Sequence, residues 1–302
     1  MKSQATQKGI TMWQAVSRLL SEHLGSAEIR ERTELPGGEI HPAWRVSYGD
    51  SEVFVKCDAR EMLPIFTAEA DQLALLARSK TVRVPEVYGV GSDRDYSFLL
   101  LEYQPLKPLD AHGAHCLGQQ LARLHQWSEQ PQFGLDFDND LSTTPQPNAW
   151  QRRWAEFFAE QRIGWQLQLA AEKGMTFGDI DEIIDVVYLR LQHHQPQPSL
   201  LHGDLWPANC AQAADGPLLF DPACYWGDRE CDLAMLPLYP ELPAQIYDGY
   251  QSVWPLEAGV IERQPLYQLY YLLNRSNLFW RPTSGHGTAG HRQAAPSRNA
   301  VI

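Results

Sequence analysis

The hydrophobic period of this chain changes once, at a proline-punctuated stretch, and that change dictates two lobes of different build. Before it, apolar residues recur at every second position. AWRVSY at 43–48 and EVFVK at 52–56 flank Gly49 and Asp50, a pair suited to a tight hairpin turn, and VRVPEVYGVG at 82–91 and YSFLLLEY at 96–103 supply further strands. One helix interrupts them, with Phe66, Ala70, Leu73, Leu76 and Ala77 on a single stripe. The stretch QPLKPLD at 104–110 then ends strand character, because proline cannot donate to a ladder and restricts the residue before it. Beyond it the period is 3.6: Leu117, Leu121 and Leu124; Trp150, Trp154, Phe157, Phe158 and Trp165; Ile180, Ile183, Ile184, Val187 and Leu191. The expected class is α+β and bilobal. A small strand-rich N-lobe spans 12–103, a hinge 104–110, and a larger, mainly helical C-lobe 111–280.

Composition excludes several functions. The 302 residues are 44% hydrophobic with 10 Trp, enough for a sizeable core. Twenty-five basic against 37 acidic residues give a formal charge of −12, and no basic run offers a footprint for a phosphate backbone, so nucleic acid is not an expected partner. No run of 18 apolar residues occurs, so no membrane partner is expected either. Five cysteines, Cys57, Cys116, Cys210, Cys224 and Cys231, form no CxxC pair, and with no signal-peptide pattern at the start they suit a reducing, cytoplasmic setting. Residues 1–11 are polar and read as a disordered extension before the amphipathic run WQAVSRLLSEHL at 13–24.

The chemistry concentrates in PSLLHGDLWPANC at 198–210 and LLFDP at 218–222. Asp204 and Asn209 are five residues apart, the offset of the Asp and Asn in the catalytic loop of protein kinases. Asp221 follows seventeen residues after Asp204, at the end of an apolar run, where the magnesium-binding Asp of a kinase DFG would fall. Asp and Asn are also ordinary turn residues, so the order and spacing carry the reading rather than any one of them. Upstream, Lys56 shares a strand face with Phe54 and suits a cation for nucleotide phosphates. Glu69 lies on the apolar side of its helix, where a carboxylate needs a partner, and Lys56 is the natural one. Gly37 and Gly38 in LPGGEIHPAW permit close backbone approach to phosphates, although the stretch is neither GxGxxG nor a P-loop.

HGDLWPAN, FDPACYWGDRECDLAML, FVK and LYQLYYLLNRSNLF together resemble the fructosamine kinase (ketosamine 3-kinase) family, within the group that includes aminoglycoside phosphotransferases and choline kinases. The resemblance runs from about Met12 to Phe279. It implies a protein-kinase-like fold with ATP and Mg2+ between the lobes. The implied reaction is phosphorylation of the 3-hydroxyl of a ketosamine such as ribulosamine, erythrulosamine or fructosamine, with glycated protein left open as an acceptor. By motif, Asp204 would take or orient the hydroxyl proton, Asn209 and Asp221 would hold the metal, and Lys56, oriented by Glu69, would bind phosphates. Backbone groups of Glu102 and Tyr103 would meet adenine, Trp206 would offer its ring to the sugar, and Asp232 would brace the HGD loop. Two other readings stay open: a kinase for another alcohol, aminoglycoside or choline-like, and a nucleotide-binding pseudokinase. The family's Ser and Gly are Pro207 and Ala208 here, and Glu39 and Ile40 stand where some members carry a redox-active cysteine.

After Phe279 the family's usual Gly is Trp280, and RPTSGHGTAGHRQAAPSRNAVI at 281–302 has no aromatic residue and no branched aliphatic before Val301. Such a tail has no stripe to bury and is expected to stand outside the working fold. Truncation after Trp280 should therefore leave Tm and activity almost unchanged. A large fall in either would show that the tail packs.

Overall fold

The computed structural model describes residues 2–36 and 41–280. Helix α1 (Lys2–Leu24) starts upstream of Met12, inside the stretch expected to be disordered. Met12, Val16 and Leu20 are buried at helical spacing. Gly37 and Gly38 and the tail 281–302 lie outside the described residues.

Strands β1 (Ile29–Leu35), β2 (Ala43–Tyr48) and β3 (Ser51–Ala59) are followed by α2 (Leu63–Arg78), β4 (Val87–Ser92) and β5 (Tyr96–Glu102). The strands form one antiparallel sheet in the order β1-β2-β3-β5-β4. Gly49, at φ 59°, makes the expected two-residue turn, across which Tyr48 pairs with Ser51. Both faces of the sheet are covered, and β3 alternates between them. Val53, Val55 and Cys57 pack with Met12, Val16 and Leu20 of α1. Phe54 packs with Phe66 and Leu73 of α2. Lys56 takes the parity of Phe54 and so turns to the α2 side. On α2 the stripe departs from expectation at one position: Ala77 is exposed, and Gln72 is buried instead. The helix ends at Arg78 and the chain reverses at Lys80 in the left-handed region, φ 56°.

The hinge is pinned rather than free, because Lys107 exchanges backbone hydrogen bonds of 3.1 and 2.8 Å with Gln212 of the C-lobe. After it come α3 (Ala111–Gln126), capped by Asp110 accepting from Gly113 N at 2.8 Å, and a short hairpin of β6 (Asn139–Leu141) and β7 (Thr144–Gln146). Helix α4 (Trp154–Phe157) runs through a π-helical turn, Phe158–Gly164, into α5 (Trp165–Glu172), and α6 (Ile180–Leu191) follows. Trp150 precedes this helix instead of joining it. Then come β8 (Ser199–Leu200), the hairpin β9 (Cys210–Ala213) and β10 (Gly216–Leu219), β11 (Trp226–Gly227), α7 (Glu230–Met235), α8 (Gln245–Val253) and α9 (Val260–Phe279). Among the described residues, no helix is long and apolar enough to cross a membrane.

Helices α3 and α8 approach backbone to backbone. A Cβ on Gly249 would lie 2.0 Å from the His115 carbonyl oxygen, and one on Gly118 would lie 2.0 Å from that of Ile246. Gly249→Ala must therefore push the helices apart, at about 1–3 kcal/mol for overpacking. A Tm several degrees lower with turnover at low temperature retained is the expected outcome. An unchanged Tm would show that the crossing can relax.

Candidate active site

Alternation along β3 and the helical period of α2 bring Lys56 and Glu69 together between sheet and helix. Lys56 Nζ donates to Glu69 Oε1 at 2.7 Å and also pairs with Asp221 from the C-lobe. Lys56 and Glu69 side chains are only 11% and 12% exposed, whereas that of Asp221 is 41% exposed. The one accessible carboxylate of the set thus belongs to the C-lobe. Burial would lower the Lys56 pKa, but the two carboxylates outweigh it and hold the ammonium charged. Glu69 is raised as well, but here burial wins and pushes it up to about 7, against the pull of Lys56.

The loop after β8 supplies the second group. Asn209 Nδ2 donates to Asp204 Oδ2 at 3.0 Å, to the Asp204 carbonyl at 2.9 Å and to the Asp221 carbonyl at 3.3 Å. One amide therefore gathers all three residues singled out by spacing. Burial, and then the charge of Asp221, push the Asp204 carboxyl up to about 7, with the Asn209 hydrogen bond opposing. Asp221 itself sits in the left-handed region, φ 52°, a conformation costing on the order of 1–3 kcal/mol that persists only where neighbours impose it. With its N–H groups so used, Asn209 keeps Oδ1 as a ligand oxygen. Together with the accessible Asp221 carboxylate, this donor set suits a hard divalent cation.

Asp232 holds the loop from beneath. Its Oδ2 accepts from His202 N and its Oδ1 from Gly203 N, both at 2.8 Å, while His125 Nε2 lies 3.2 Å from Oδ2. Gly203 is required here: at φ 83°, its Cβ would lie 1.9 Å from the Ala223 carbonyl oxygen. The His202 ring reaches across to the Phe220 carbonyl at 3.0 Å, tying the HGD loop to the residue before Asp221. Burial alone would raise the Asp232 carboxyl. His125, His202 and the Gly203 N–H outweigh burial and hold it below the usual carboxylate range.

Compared with known proteins, the chain matches the fructosamine kinase family model over residues 12–286. The chain belongs to the fructosamine kinase family. The model extends seven residues past Phe279, where the motifs stop. A protein of Klebsiella aerogenes named a probable ketoamine kinase is 74% identical over 269 residues, 89% of this chain and 94% of that one. Its counterpart YniA of Escherichia coli K12 is 72% identical over 268 residues, with the same coverage. A Haemophilus somnus protein whose crystal structure carries the fructosamine-3-kinase name is 43% identical, with TM-score 0.86 over 91% of this chain and 94% of that one. The choline kinase LicA of Streptococcus pneumoniae, 16% identical with TM-score 0.58 over 88% of this chain and 90% of that one, shares the fold alone. The protein-kinase-like architecture expected from the sequence is thus the family's.

Of the other expected site residues, Glu102 lines a cleft with Phe54, Leu101, Phe220 and Asp221. Glu102 N–H donates to the Glu86 carbonyl at 2.8 Å, so the expectation of an adenine contact there does not extend to that group. Its carboxylate receives Arg83 at 3.2 Å, and Arg83 also pairs with Asp215 across the lobes. The Tyr103 ring carries the Arg45 guanidinium at 5.1 Å. Trp206 lies beside Tyr239, ring centroids 5.9 Å apart. Sequence reading missed His125, His202, Tyr239 and Gln72. His202 lay inside the HGD motif, whereas no local signal marks His125 as the partner of a residue 107 positions away.

Removing Asp232 strands two backbone N–H groups and His125 in the core, so Asp232→Ala should cost about 2–5 kcal/mol at pH 7. Because the native carboxyl is held below its unfolded value, this stabilisation is present above about pH 4 and is lost as pH falls further. Tm differences between wild type and variant should therefore be large at pH 7 and shrink toward pH 3. Equal differences at both would contradict the assignment.

Proposed function

We propose that this chain is an ATP- and magnesium-dependent kinase that phosphorylates a hydroxyl, the 3-hydroxyl by family resemblance, of a small ketosamine. The observation that carries the reading is the convergence of Lys56, Glu69 and Asp221 from two lobes with Asp204 and Asn209 on one loop. Membership of the fructosamine kinase family, with relatives named as ketoamine kinases, supplies the acceptor class. A nucleotide-binding pseudokinase is disfavoured because all five groups are present and mutually engaged.

Each residue has a physical task. Lys56 offers a buried, fully charged ammonium to nucleotide phosphates, and Glu69 fixes its position. Asn209 Oδ1 and the Asp221 carboxylate would hold magnesium, which when bound supplies counter-charge to the phosphates. Asp204, raised to about 7, matches the pH at which a carboxylate can accept or orient a hydroxyl proton. Trp206 and Tyr239 would present aromatic faces to the sugar, and the Tyr103 backbone would meet the base. Gly37 and Gly38 would cover the phosphates, and Asp232 would act through the loop it braces.

The decisive experiment is magnesium-dependent ATP turnover with free ribulosamine, erythrulosamine and fructosamine, set against aminoglycoside and choline-like alcohols. Ketosamine transfer by wild type should fall by about 10² to 10⁴ in Asp204→Asn, with ATP affinity nearly intact. Transfer to none of the ketosamines, or a variant as fast as wild type, would overturn the reading.

A further inference from the structure

Gln72 is a polar side chain on the buried face of α2, only 3% exposed, one helical turn after Glu69. Its Oε1 accepts two hydrogen bonds from the C-lobe: Cys224 N at 2.6 Å and Asn139 Nδ2 at 2.7 Å. Cys224 is three residues after Asp221, and Asn139 also donates to its carbonyl at 2.9 Å. A single oxygen on the helix that carries Glu69 therefore fastens the loop that carries Asp221.

The contact is the end of a longer relay. Asn139 Oδ1 accepts from Asn148 Nδ2 at 2.7 Å and from Gln146 Nε2 at 2.8 Å, and Gln146 also donates to the Ala223 carbonyl at 3.2 Å. Asn148 Oδ1 in turn accepts from Arg162 at 2.7 Å. Arg162, in the π-helical turn, is fully buried, and among the described residues no carboxylate pairs with it. It lies over the Phe157 and Tyr225 rings at 4.6 and 4.0 Å and donates to the Pro147 carbonyl at 2.6 Å. Every bond in the series is donated in one direction, from this cation toward Gln72. A charge at the donor end strengthens each bond down the line.

We propose that Gln72 is a positioning residue for phosphoryl transfer, holding the Glu69 helix and the Asp221 loop in one register through its shared acceptor oxygen. The proposal rests on the kinase reading above. Lys56 bridges Glu69 and Asp221, so the separation of those two carboxylates decides where the ammonium sits. Displacements near 1 Å at such a site cost on the order of 10² in rate.

Gln72→Leu keeps volume and helix propensity but strands Cys224 N–H and one of the two Asn139 Nδ2 hydrogens, the other still donating to the Cys224 carbonyl. In protein shown to be folded by near-ultraviolet circular dichroism, kcat should fall about 10- to 100-fold, with the ketosamine KM within about twofold of wild type. In nucleotide-free protein, hydrogen exchange should accelerate locally in peptides covering α2 and residues 221–226. Gln72→Glu, which keeps the acceptor oxygens, should restore most of both. Asn139→Asp removes the same donor and should reproduce both losses, which keeps the test open if the leucine variant does not fold. An unchanged kcat in folded Gln72→Leu, or exchange that accelerates uniformly over the molecule, would overturn the proposal. Wild-type protein that transfers to no ketosamine would instead defeat the functional reading, while the exchange measurement would still judge the relay.

Discussion

A single ammonium group, buried between two carboxylates from different lobes, is the interaction on which the rest of this structure depends. Lys56 meets Glu69 within the N-lobe and Asp221 from the C-lobe. Buried charges of this kind are costly to form and costlier to break, since removing one partner leaves the other unpaired in a low dielectric. Three structural requirements follow from it. Strand β3 must alternate so that position 56 faces the helix, α2 must be long enough to bring position 69 over the strand, and the hinge must hold the lobes in one arrangement. The backbone pairing of Lys107 with Gln212, the Arg83 bridge between Glu102 and Asp215, and the Gln72 contact all serve the third.

Much of this was legible in the sequence because period and spacing are local signals. The switch from period two to 3.6 located the lobes, and alternation between Phe54 and Lys56 predicted which way the lysine would face. The parity of Glu69 with Phe66 and Leu73 predicted its partner. The five-residue offset of Asp204 and Asn209 was readable because both ride one loop, where covalent geometry limits how far apart they can lie. What was not legible depends on contacts far apart in the chain. Gln72 carries no local sign of burial, because the group it accepts from, Cys224 N, lies 152 residues away. Arg162 carries no local mark of being buried without a carboxylate. The helical start at Lys2 was missed for a different reason: a polar segment carries no apolar periodicity, so a pattern search begins only at Met12.

The Asp232 cluster shows in physical terms what fixes the conformation of the HGD loop. Two consecutive backbone N–H groups point at one carboxylate, and a left-handed Gly203 lets the chain pass against Ala223. His202 closes the loop onto Phe220, so the residues before Asp204 and before Asp221 are bonded to one another. The HGD loop and the loop bearing Asp221 are thus fastened to one another. Their common base is a buried carboxylate, itself held ionised by the hydrogen bonds it accepts.

Electrostatics of the free enzyme point the same way as geometry. Asp204 and Glu69 both sit near 7, raised by burial and by the proximity of Asp221, while Lys56 supplies one positive charge to the group. Like charges so placed disfavour one another's ionisation, and further positive charge nearby would relieve all of them at once. A site built only for stability would replace such a cluster with apolar side chains of similar volume, which is often neutral or favourable. Beside an accessible Asp221 and an Asn209 oxygen, this cluster concentrates negative charge that a cation would relieve. The same crowding, with burial, raises the Asp204 carboxyl, so the electrostatic cost of these carboxylates and the shifted proton affinity of Asp204 have one cause.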